Sequence, residues 1–457
     1  METYYKILEK SYKSHKYNFT YEKGLNTITG WPGSICEEET VDGFWITQLE
    51  NIEEFYDRGT TLSIIKLPTD DVDFQMTEHD NYWRSNKIII CEEFSLYDTD
   101  TYEKFGLDIL KNTYIIGFAS RDNNMDFLNW WVNSGLELRY DKHAIAYASS
   151  HGHINVLNWW VNSGLELLYD GYAIDCASKN GRVNVLEWWL NSGLKLRYTV
   201  RAINLASQTP HIEVLDWWLN SGLELMYDKY AIAYASGDGH VNVLDWWVNS
   251  GLELRYNHEA MQWASERGRV NILDWWLKSG LELRYDNKAI EGASSYGHIN
   301  VLDWWLNSGL QLQYNNWAIN FASRHGHTNS LDWWLKSGLE LKYDVKAIEF
   351  ASTKGQVNVL DWWLKSGLEL KYNAEAMDRA INHNDRECIK WWIKSGLPLK
   401  CTKDIIQWAS EKGHLDILES WHEMGLPFGS VKNALVWASK NNHLEIIAWF
   451  QKNGFQQ

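Results

Sequence analysis

Pairs of adjacent tryptophans recur along this chain at a fixed spacing of 29 residues. A period of this length, repeated this often, is typical of an array in which each unit stacks on its neighbours. The chain of 457 residues is also too long for one compact core, so an elongated array is the expected solution. The pairs begin at Trp130, Trp159, Trp188, Trp217, Trp246, Trp275, Trp304, Trp333, Trp362 and Trp391, and the register continues at Ser420-Trp421 and Trp449-Phe450 without an insertion or a deletion.

The composition agrees with such an array and disfavours several kinds of partner. The chain has 29 Trp and only 5 Pro, which indicates one Trp-bearing position repeated many times. The formal charge of -17 disfavours nucleic acid and acidic membranes as partners, because phosphate binding needs clustered Lys and Arg. A basic or neutral partner suits this charge better, although acidity also keeps a long array soluble.

The cysteines and the first residues predict a protein of a reducing compartment. The five cysteines, which include no C-x-x-C pair, favour neither a disulfide framework nor a zinc ribbon. Residues 1–16 lack the apolar core of a signal peptide, and no stretch approaches the ~18 apolar residues of a membrane span. We therefore expect a soluble cytoplasmic protein that is not secreted and does not bind membranes.

A recurrent tyrosine serves as place 1 of each repeat and divides the chain into three parts. These are an N-terminal module at 1–95, a leading half repeat at 96–110 and twelve repeats at 111–457. The repeats begin at Lys111, Tyr140, Tyr169, Tyr198, Tyr227, Tyr256, Tyr285, Tyr314, Tyr343, Tyr372, Cys401 and Ser430.

Each repeat predicts two short helices, as the unit from Tyr285 to Gln313 illustrates. Place 2 holds Asp286, a side chain that accepts hydrogen bonds at a helix start, and Asp, Asn or Thr stands there in every repeat except the last. Helix one is expected over Asn287–Ser295 and helix two over Asn300–Asn307. Gly309 then ends helix two in the left-handed conformation.

The tryptophans predict that the repeats are stable only as a stack. Helices of about nine residues are unstable alone in water, so burial against a neighbour must supply the stability. Adjacent side chains on a helix point about 100° apart, so we expect one indole to fill the repeat's own core and the other to pack toward the next repeat. An exposed Trp ladder for carbohydrate or methyl-lysine is disfavoured, because it would leave large apolar rings in water.

The unit resembles an ankyrin repeat. It shares Gly297-His298 between two helices, Ala293-Ser294 at the end of helix one, the apolar triplet Trp304-Trp305-Leu306 and the closing Gly309. It departs from the usual 33 residues and the Thr-Pro-Leu-His start by being four residues shorter, with Ala289 in the proline place. The resemblance implies an all-α ankyrin-like solenoid of helix–turn–helix repeats. The missing residues fall where the family forms projecting hairpin fingers, so short loops are expected and contacts shift to helix one and the turns.

The shortened Trp-rich unit, together with the leading module, also resembles the ankyrin-repeat proteins of giant DNA viruses of amoebae, the mimivirus-like type. In the module this resemblance depends on short stretches at 24–26, 43–47, 67–68 and 83–90. It implies an intracellular, protein-binding role directed at host proteins.

Residues 1–95 lack the 29-residue period and predict a small α+β module. Strands are expected at Phe44–Thr47, Thr61–Leu67 and Lys87–Ile90, with a helix at Leu49–Arg58. The acidic stretch at 70–80 lacks the glycine and the final glutamate of a calcium loop, and no common catalytic motif occurs. We therefore expect no catalytic residue, no metal site and no cofactor.

Seven repeats carry a histidine at the turn between the two helices: His153, His211, His240, His298, His327, His414 and His443. Stacked repeats would hold these side chains about 10 Å apart, too far for two ligands of one zinc ion. Hydrogen bonding within the turns is the favoured interpretation.

The candidate protein-binding surface consists of places that vary while the scaffold repeats. They are places 3, 4 and 7 and the turn before the Gly-His pair. Trp317 and Tyr230 are the best anchor candidates, because aromatic side chains dominate binding hot spots. An unconstrained surface would vary in the same way. The candidates are His143, Arg201, Tyr230, Glu259, Gln262, Arg267, Tyr296, Trp317, Asn320 and Arg324.

The sequence thus predicts a non-enzymatic adaptor that acts as a monomer on a protein partner, in the cytoplasm of the host cell if the chain is viral. Two alternatives stay open. One is a structural component of the virus particle, and the other is an array that delivers an unrecognised activity of the N-terminal module.

Overall fold

The computed structural model describes residues 3–9, 20–28, 43–137, 139–428 and 431–455. The chain divides into two compact units, residues 1–227 and 228–457, each of which is described by itself. The first unit holds a small β region and repeats one to four, and the second holds the helices of repeats five to twelve. No helix of the described residues is long and apolar enough to cross a membrane.

The β region forms two antiparallel sheets. One has the strand order β1-β4-β7-β2 and the other has the order β3-β6-β5. Their inward side chains form one apolar core that includes Leu8, Phe44, Ile65 and Ile90. The strands are β1 (Tyr4–Leu8), β2 (Gly24–Thr27), β3 (Phe44–Ile46), β4 (Thr61–Lys66), β5 (Met76–Glu78), β6 (Trp83–Ser85) and β7 (Lys87–Ser95).

The predicted strands of the module correspond to β3, β4 and β7, but four further strands were not predicted. β1 carries Lys6 in an otherwise apolar run, and β2, β5 and β6 are short and largely polar, so none has the expected pattern. The predicted helix spans Leu49–Arg58 as expected but is a 3-10 helix that buries Ile52 and Tyr56.

Helix α1 (Thr99–Phe105) and a short 3-10 turn (Ile109–Lys111) lead from the sheets into the repeats. Two ion pairs join the β region to repeat one. The Lys111 ammonium lies 2.6 Å from the Glu53 carboxylate, and the Arg121 guanidinium lies 2.9 Å from the Glu9 carboxylate. The module boundaries at residues 95 and 110 stay a prediction.

The repeats consist of helix pairs, which confirms the predicted all-α ankyrin-like solenoid with a small N-terminal α+β module. In the first unit helix one is α2 (Ile115–Arg121), α4 (His143–His151), α6 (Tyr172–Lys179) and α8 (Val200–Ser207), and helix two is α3 (Met125–Ser134), α5 (Ile154–Asn162), α7 (Val183–Asn191) and α9 (Ile212–Asn220). In the second unit helix one is α10 (Lys229–Asp238), α12 (Glu259–Glu266), α14 (Asn287–Ser295), α16 (Trp317–Arg324), α18 (Val345–Thr353), α20 (Ala374–Asn382), α22 (Ile405–Lys412) and α24 (Val431–Lys440). Helix two there is α11 (Val241–Asn249), α13 (Val270–Lys278), α15 (Ile299–Asn307), α17 (Thr328–Lys336), α19 (Val357–Lys365), α21 (Arg386–Lys394), α23 (Leu415–Glu423) and α25 (Leu444–Lys452).

Local sequence explains where these helices begin and end. The Asp286 carboxylate accepts from the Lys288 backbone N–H at 3.0 Å and so caps α14, as predicted. Gly309 follows α15 at φ 77°, a left-handed conformation that glycine adopts without strain. The link between α15 and α16 contains no strand, in agreement with the expected short loops.

The predicted cap is wrong at Thr402. Its hydroxyl and its backbone N–H both donate to the Asp378 carboxylate of the preceding repeat, so this side chain is engaged elsewhere. Asp404 caps α22 instead, by accepting from the Gln407 N–H at 3.0 Å. Ser430, the place before Val431, lies outside the described residues.

Within each unit, the indoles of the Trp pairs after the first connect helix two to the preceding repeat. The second indole of the pair, Trp305, is buried and donates from Nε1 to the Ser265 hydroxyl at 3.0 Å. The first, Trp304, is half-buried, lies edge-on to Trp305, and donates to the Asp274 carboxylate at 2.7 Å. Both hydrogen bonds run to the preceding repeat, whereas the prediction had one ring pack toward the next. The second indole does the same in the pairs Trp160–Ser120, Trp189–Ser149, Trp218–Ser178, Trp276–Ser236, Trp334–Ser294, Trp363–Ser323 and Trp392–Ser352, at 2.8–3.2 Å.

Near the end of the second unit, two serine–indole pairs each lack one member, and the remaining member does not form this hydrogen bond. Ile381 stands where the other repeats have the acceptor serine, and the Trp421 indole donates to the Pro427 carbonyl at 3.2 Å instead. Phe450 stands where the other repeats have the second Trp, and the buried Ser410 hydroxyl is then without a partner among the described residues. The serine and the indole therefore act as one pair.

We predict that Ser265→Ala destabilises the array locally. The substitution leaves the buried Trp305 N–H without an acceptor, which costs about 1–3 kcal/mol. Hydrogen exchange of the amides in α12 to α15, measured on the full chain, should show that opening free energies fall by this amount.

Ser279→Ala is the matched control. This hydroxyl bonds to the Trp276 carbonyl at a partly exposed helix end, where water can replace it, so the expected loss is about 0.5–1 kcal/mol. Equal losses in the two variants would contradict the role assigned to the serine.

Candidate functional site

The outward side of helix one carries the side chains at places 4, 8, 11 and 12 of each repeat, which we call the helix-one surface. Places 5, 6, 9 and 10 face inward, and the alanine at place 9 is buried in every repeat. Because places 4, 8 and 11 are separated by four and three residues, they line up along one side of the helix. The residues that differ most between repeats therefore lie on a regular and rigid support.

In repeats seven to nine this surface carries five rings, which we call the aromatic row: Tyr296, Trp317, Phe321, His325 and Phe350. Trp317 stacks on Phe321 with ring centroids 5.0 Å apart, and Phe321 lies nearly parallel to Phe350 at 6.2 Å. His325 continues the row between Phe321 and Tyr296. Tyr296 is 50% exposed and Trp317 is 37% exposed, although both rings are large.

Cationic side chains border the aromatic row. The Arg324 guanidinium lies 5.7 Å from the Phe350 ring centroid, and the Lys346 ammonium lies 5.9 Å from the same centroid. The carboxylate of Glu349 is buried beneath them, and it receives hydrogen bonds from both Lys346 and Arg379 at 2.8 Å. Two cations neutralise this single buried acid.

A second aromatic group, the repeat 5–6 cluster, consists of Tyr230, Tyr234 and Trp263 on α10 and α12. Tyr230 stacks on Trp263 with centroids 5.8 Å apart. Among the described residues, both cations beside this cluster form ion pairs with acidic side chains, unlike Arg324 beside the aromatic row. Lys229 forms an ion pair with Glu259 at 3.1 Å, and Arg267 forms one with Asp238.

The proteins to which this chain is similar include two of Acanthamoeba polyphaga mimivirus. An uncharacterised protein of the virus is 42% identical over 90 residues, which are 20% of this chain and 29% of the relative. A protein of the same virus named as an ankyrin repeat protein is 30% identical over 138 residues, which are 29% of this chain and 41% of the relative. No model of a known protein family matches the chain.

These relatives, together with the helix pairs, confirm the predicted resemblance. The chain is similar to ankyrin-repeat proteins of the mimivirus type. A solved structure, the human ASB11 ankyrin repeat domain, matches with a TM-score of 0.33 and 15% identity over 41% of this chain and 96% of that domain. The matched segments span less than half the length of either viral relative.

The structure places several predicted residues on the helix-one surface. In the second unit Tyr230 belongs to the repeat 5–6 cluster, with Glu259 and Arg267 beside it. Tyr296 and Trp317 belong to the aromatic row, and Arg324 lies beside it. In the first unit His143 packs edge-on to Tyr172, and the Arg201 guanidinium lies 3.5 Å from the Asp175 carboxylate.

Place 7 does not belong to this surface, and the prediction for Asn320 is therefore wrong. Asn320 is buried, and its amide donates to the Asp344 carboxylate, which caps the next repeat's helix one. Asp378 holds Thr402 in the same way. Gln262 is half-buried at this place. Place 7 varies because polar side chains there bind the start of the following repeat, not because they face a partner.

Sequence reasoning missed place 8, which supplies Phe321 and Phe350 of the aromatic row and Tyr234 and Trp263 of the repeat 5–6 cluster. The signal was available, because place 8 is aromatic in most repeats. Its spacing of four residues from place 4 puts both on the same side of helix one. The aromatic residues at place 8 are Phe118, Tyr147, Tyr234, Trp263, Phe321, Phe350, Trp408 and Trp437.

The turn histidines His153, His414 and His443 bond to the preceding repeat, whereas His211 lies 3.2 Å from the Glu213 carboxylate of its own repeat. Nε2 of His153 lies 2.9 Å from the Arg121 carbonyl, and Nε2 of His443 lies 3.1 Å from the Glu411 carbonyl. Burial lowers the pKa of His153, which favours the neutral ring. Hydrogen bonding in the turns is thus confirmed at these positions. Within the described ranges, no three His, Cys, Asp or Glu side chains come together in a way that could hold a metal ion.

One place-7 carboxylate predicts a pH dependence of stability. Burial raises the pKa of Asp175 from 3.8 to about 6, although Arg201 acts in the opposite direction. Between pH values of about 4 and 6 the folded chain therefore holds a proton on this carboxyl that the unfolded chain has lost. The free energy of unfolding falls as pH rises through this range, because the buried carboxylate must then carry its charge. Asp175→Asn should therefore raise the free energy of unfolding at pH 7 by about 1–3 kcal/mol and have little effect at pH 3.5.

Asn204→Asp is the converse control, because Asn204 is equally buried at place 7 of the next repeat. The free energy of unfolding of this variant should be lower than that of the unmodified chain at pH 7. At pH 3.5 the two values should be nearly equal. Thermal unfolding across this pH range measures both effects. A stabilisation by Asp175→Asn that is equal at both pH values would show that charge is not its cause.

Proposed function

We propose that this ankyrin-repeat protein is a non-enzymatic scaffold whose helix-one surface binds a host protein, with the aromatic row as the main contact. The observation that carries this proposal is the exposure of large parallel rings on a rigid helical support. Exposed aromatic side chains with adjacent arginines have the composition of binding hot spots, and rigid anchors lose little entropy on binding. The relationship to mimivirus proteins supports a partner in the infected cell and a cytoplasmic site of action.

The contrast between constant and variable places in the repeats supports the same function. Places that bury indoles, alanines and serines are nearly invariant along the chain, whereas the helix-one surface changes from repeat to repeat. A scaffold that holds one particular partner needs this combination of a constant support and a variable surface. We propose that the chain acts as a monomer and that the N-terminal module supplies a second contact.

One observation in the module bears on the alternative of an unrecognised activity. Burial and the nearby Arg58 lower the pKa of Lys6 to about 7, as in lysines that act as nucleophiles or bases. The Lys6 ammonium, however, donates to the Trp45 backbone carbonyl at 2.7 Å and so joins β1 to β3. This hydrogen bond gives the lysine a structural role, and the scaffold remains the better-supported function.

We predict that Trp317→Ala removes partner binding without unfolding the chain. Full-length protein immobilised on a resin should capture a specific protein from a lysate of the amoebal host, and the variant should capture at least about tenfold less, as expected for a hot-spot residue. Circular dichroism should be unchanged, because the ring is half exposed.

Leu306→Ala is the matched control, since Leu306 is 36% exposed but lies on helix two. It should capture the partner as the unmodified chain does. Equal losses from both variants, or no loss from Trp317→Ala, would reject the helix-one surface as the contact. High abundance of the chain in purified virus particles, with no captured host protein, would favour the structural alternative.

A further inference from the structure

We infer that the aromatic row binds an acidic, partly apolar peptide segment of the partner. This inference rests on the proposed function and adds the chemistry of the partner at that surface. It depends on three observations: the orientation of the rings, the pairing of the cations and the distribution of charge around the row.

The rings of the row lie close to parallel. Phe321 and Phe350 lie at an interplanar angle of 7°, and Trp317 is within 27° of both. The edge of an aromatic ring carries partial positive charge, whereas its face carries partial negative charge. Ring edges that meet a partner attract its carboxylates, and the rings also offer apolar surface to its apolar side chains.

Arg324 adds a full positive charge beside these edges. Among the described residues Arg324 forms no ion pair, and its guanidinium lies over the ring of Phe350. The repeat 5–6 cluster shows the contrast, because Arg267 there is paired with Asp238. An arginine that keeps its donors available next to apolar rings can form the bidentate hydrogen bonds that carboxylates accept.

The surroundings of the row are basic although the chain as a whole is acidic. In repeats seven to nine, places 4, 8, 11 and 12 hold Lys288, Arg324, Lys346 and Lys354, and none of these places holds Asp or Glu. Lys346 is paired with the buried Glu349 at 2.8 Å, so the local excess comes from the other three cations. The formal charge of the whole chain is -17, so this local excess is opposite in sign to the rest. The general field disfavours long polyanions, while the local surface favours a short acidic segment.

A single-stranded nucleic acid fits this surface less well. Bases bind proteins by stacking on aromatic faces, but Phe321 already has Trp317, His325 and Phe350 as ring neighbours. The negative charge of the chain would also repel the phosphates beyond the bound segment. Competition by a nucleic acid is therefore an outcome that the test includes.

The experiment selects random twelve-residue peptides, displayed on phage, on the immobilised full chain. We expect the enriched peptides to combine Asp or Glu with Leu, Phe or Trp. Arg324→Ala should weaken their binding about tenfold, because it removes a charge-assisted contact. Arg267→Ala, the matched control in the repeat 5–6 cluster, should leave binding within about twofold. Circular dichroism should show that both variants remain folded.

The outcomes separate this inference from the proposed function. Enriched peptides that are neutral or basic, yet are lost with Trp317→Ala, would reject the acidic segment and keep the helix-one surface as a protein contact. Peptides unaffected by Trp317→Ala would count against both. No enrichment, no effect of Arg324→Ala, or displacement of the peptide by an equal concentration of a uridine oligonucleotide would also overturn the inference.

Discussion

The hydrogen bond from a buried indole to a serine of the preceding repeat is the interaction on which the rest of this structure depends. An indole N–H buried without an acceptor costs free energy. The acceptor comes from helix one of the repeat before, as Ser265 does for Trp305. Each repeat is therefore incomplete until its predecessor is folded, which makes stability a sum over neighbouring interfaces.

The first complete pair shows what happens where no predecessor exists. The residue 40 places before Trp131 is Cys91, which belongs to strand β7. The Trp131 indole turns instead to the carbonyl of Leu136 in its own repeat, at 3.1 Å. In the first repeat the indole therefore has an acceptor within its own repeat, whereas the indoles of later repeats use a serine of the repeat before.

The sequence predicts most of this fold because its dominant constraint is periodic. The Trp pairs, the caps at place 2 and Gly309 each follow from a local rule that acts in every repeat. The β region was predicted less well, because strands such as β5 and β6 are held by pairing with distant residues and carry no clear alternation of their own. In the candidate site, Trp317 and Tyr296 were found because they vary and are large, but Asn320 was misplaced. Variation alone does not tell whether a side chain faces a partner or the next repeat.

The scaffold and the binding surface make opposite demands that the two sides of helix one satisfy separately. Its inner side keeps Ala and Ser so that helices can approach closely and indoles find their acceptors. Its outer side is free to collect rings and charges, as the aromatic row does in repeats seven to nine. The helix-one surface can therefore change by substitution at places 4, 8, 11 and 12 without loss of the array.

Solvent exchange of the indole N–H protons, followed by NMR on the full chain labelled with 15N in its tryptophan side chains, tests the central claim most directly. The account predicts two classes of indole. In the pairs after the first, the second member should exchange slowly because it is buried on a serine, and the first member should exchange faster because its indole is only half-buried. A single class that exchanges as fast as unfolded tryptophan would contradict the account.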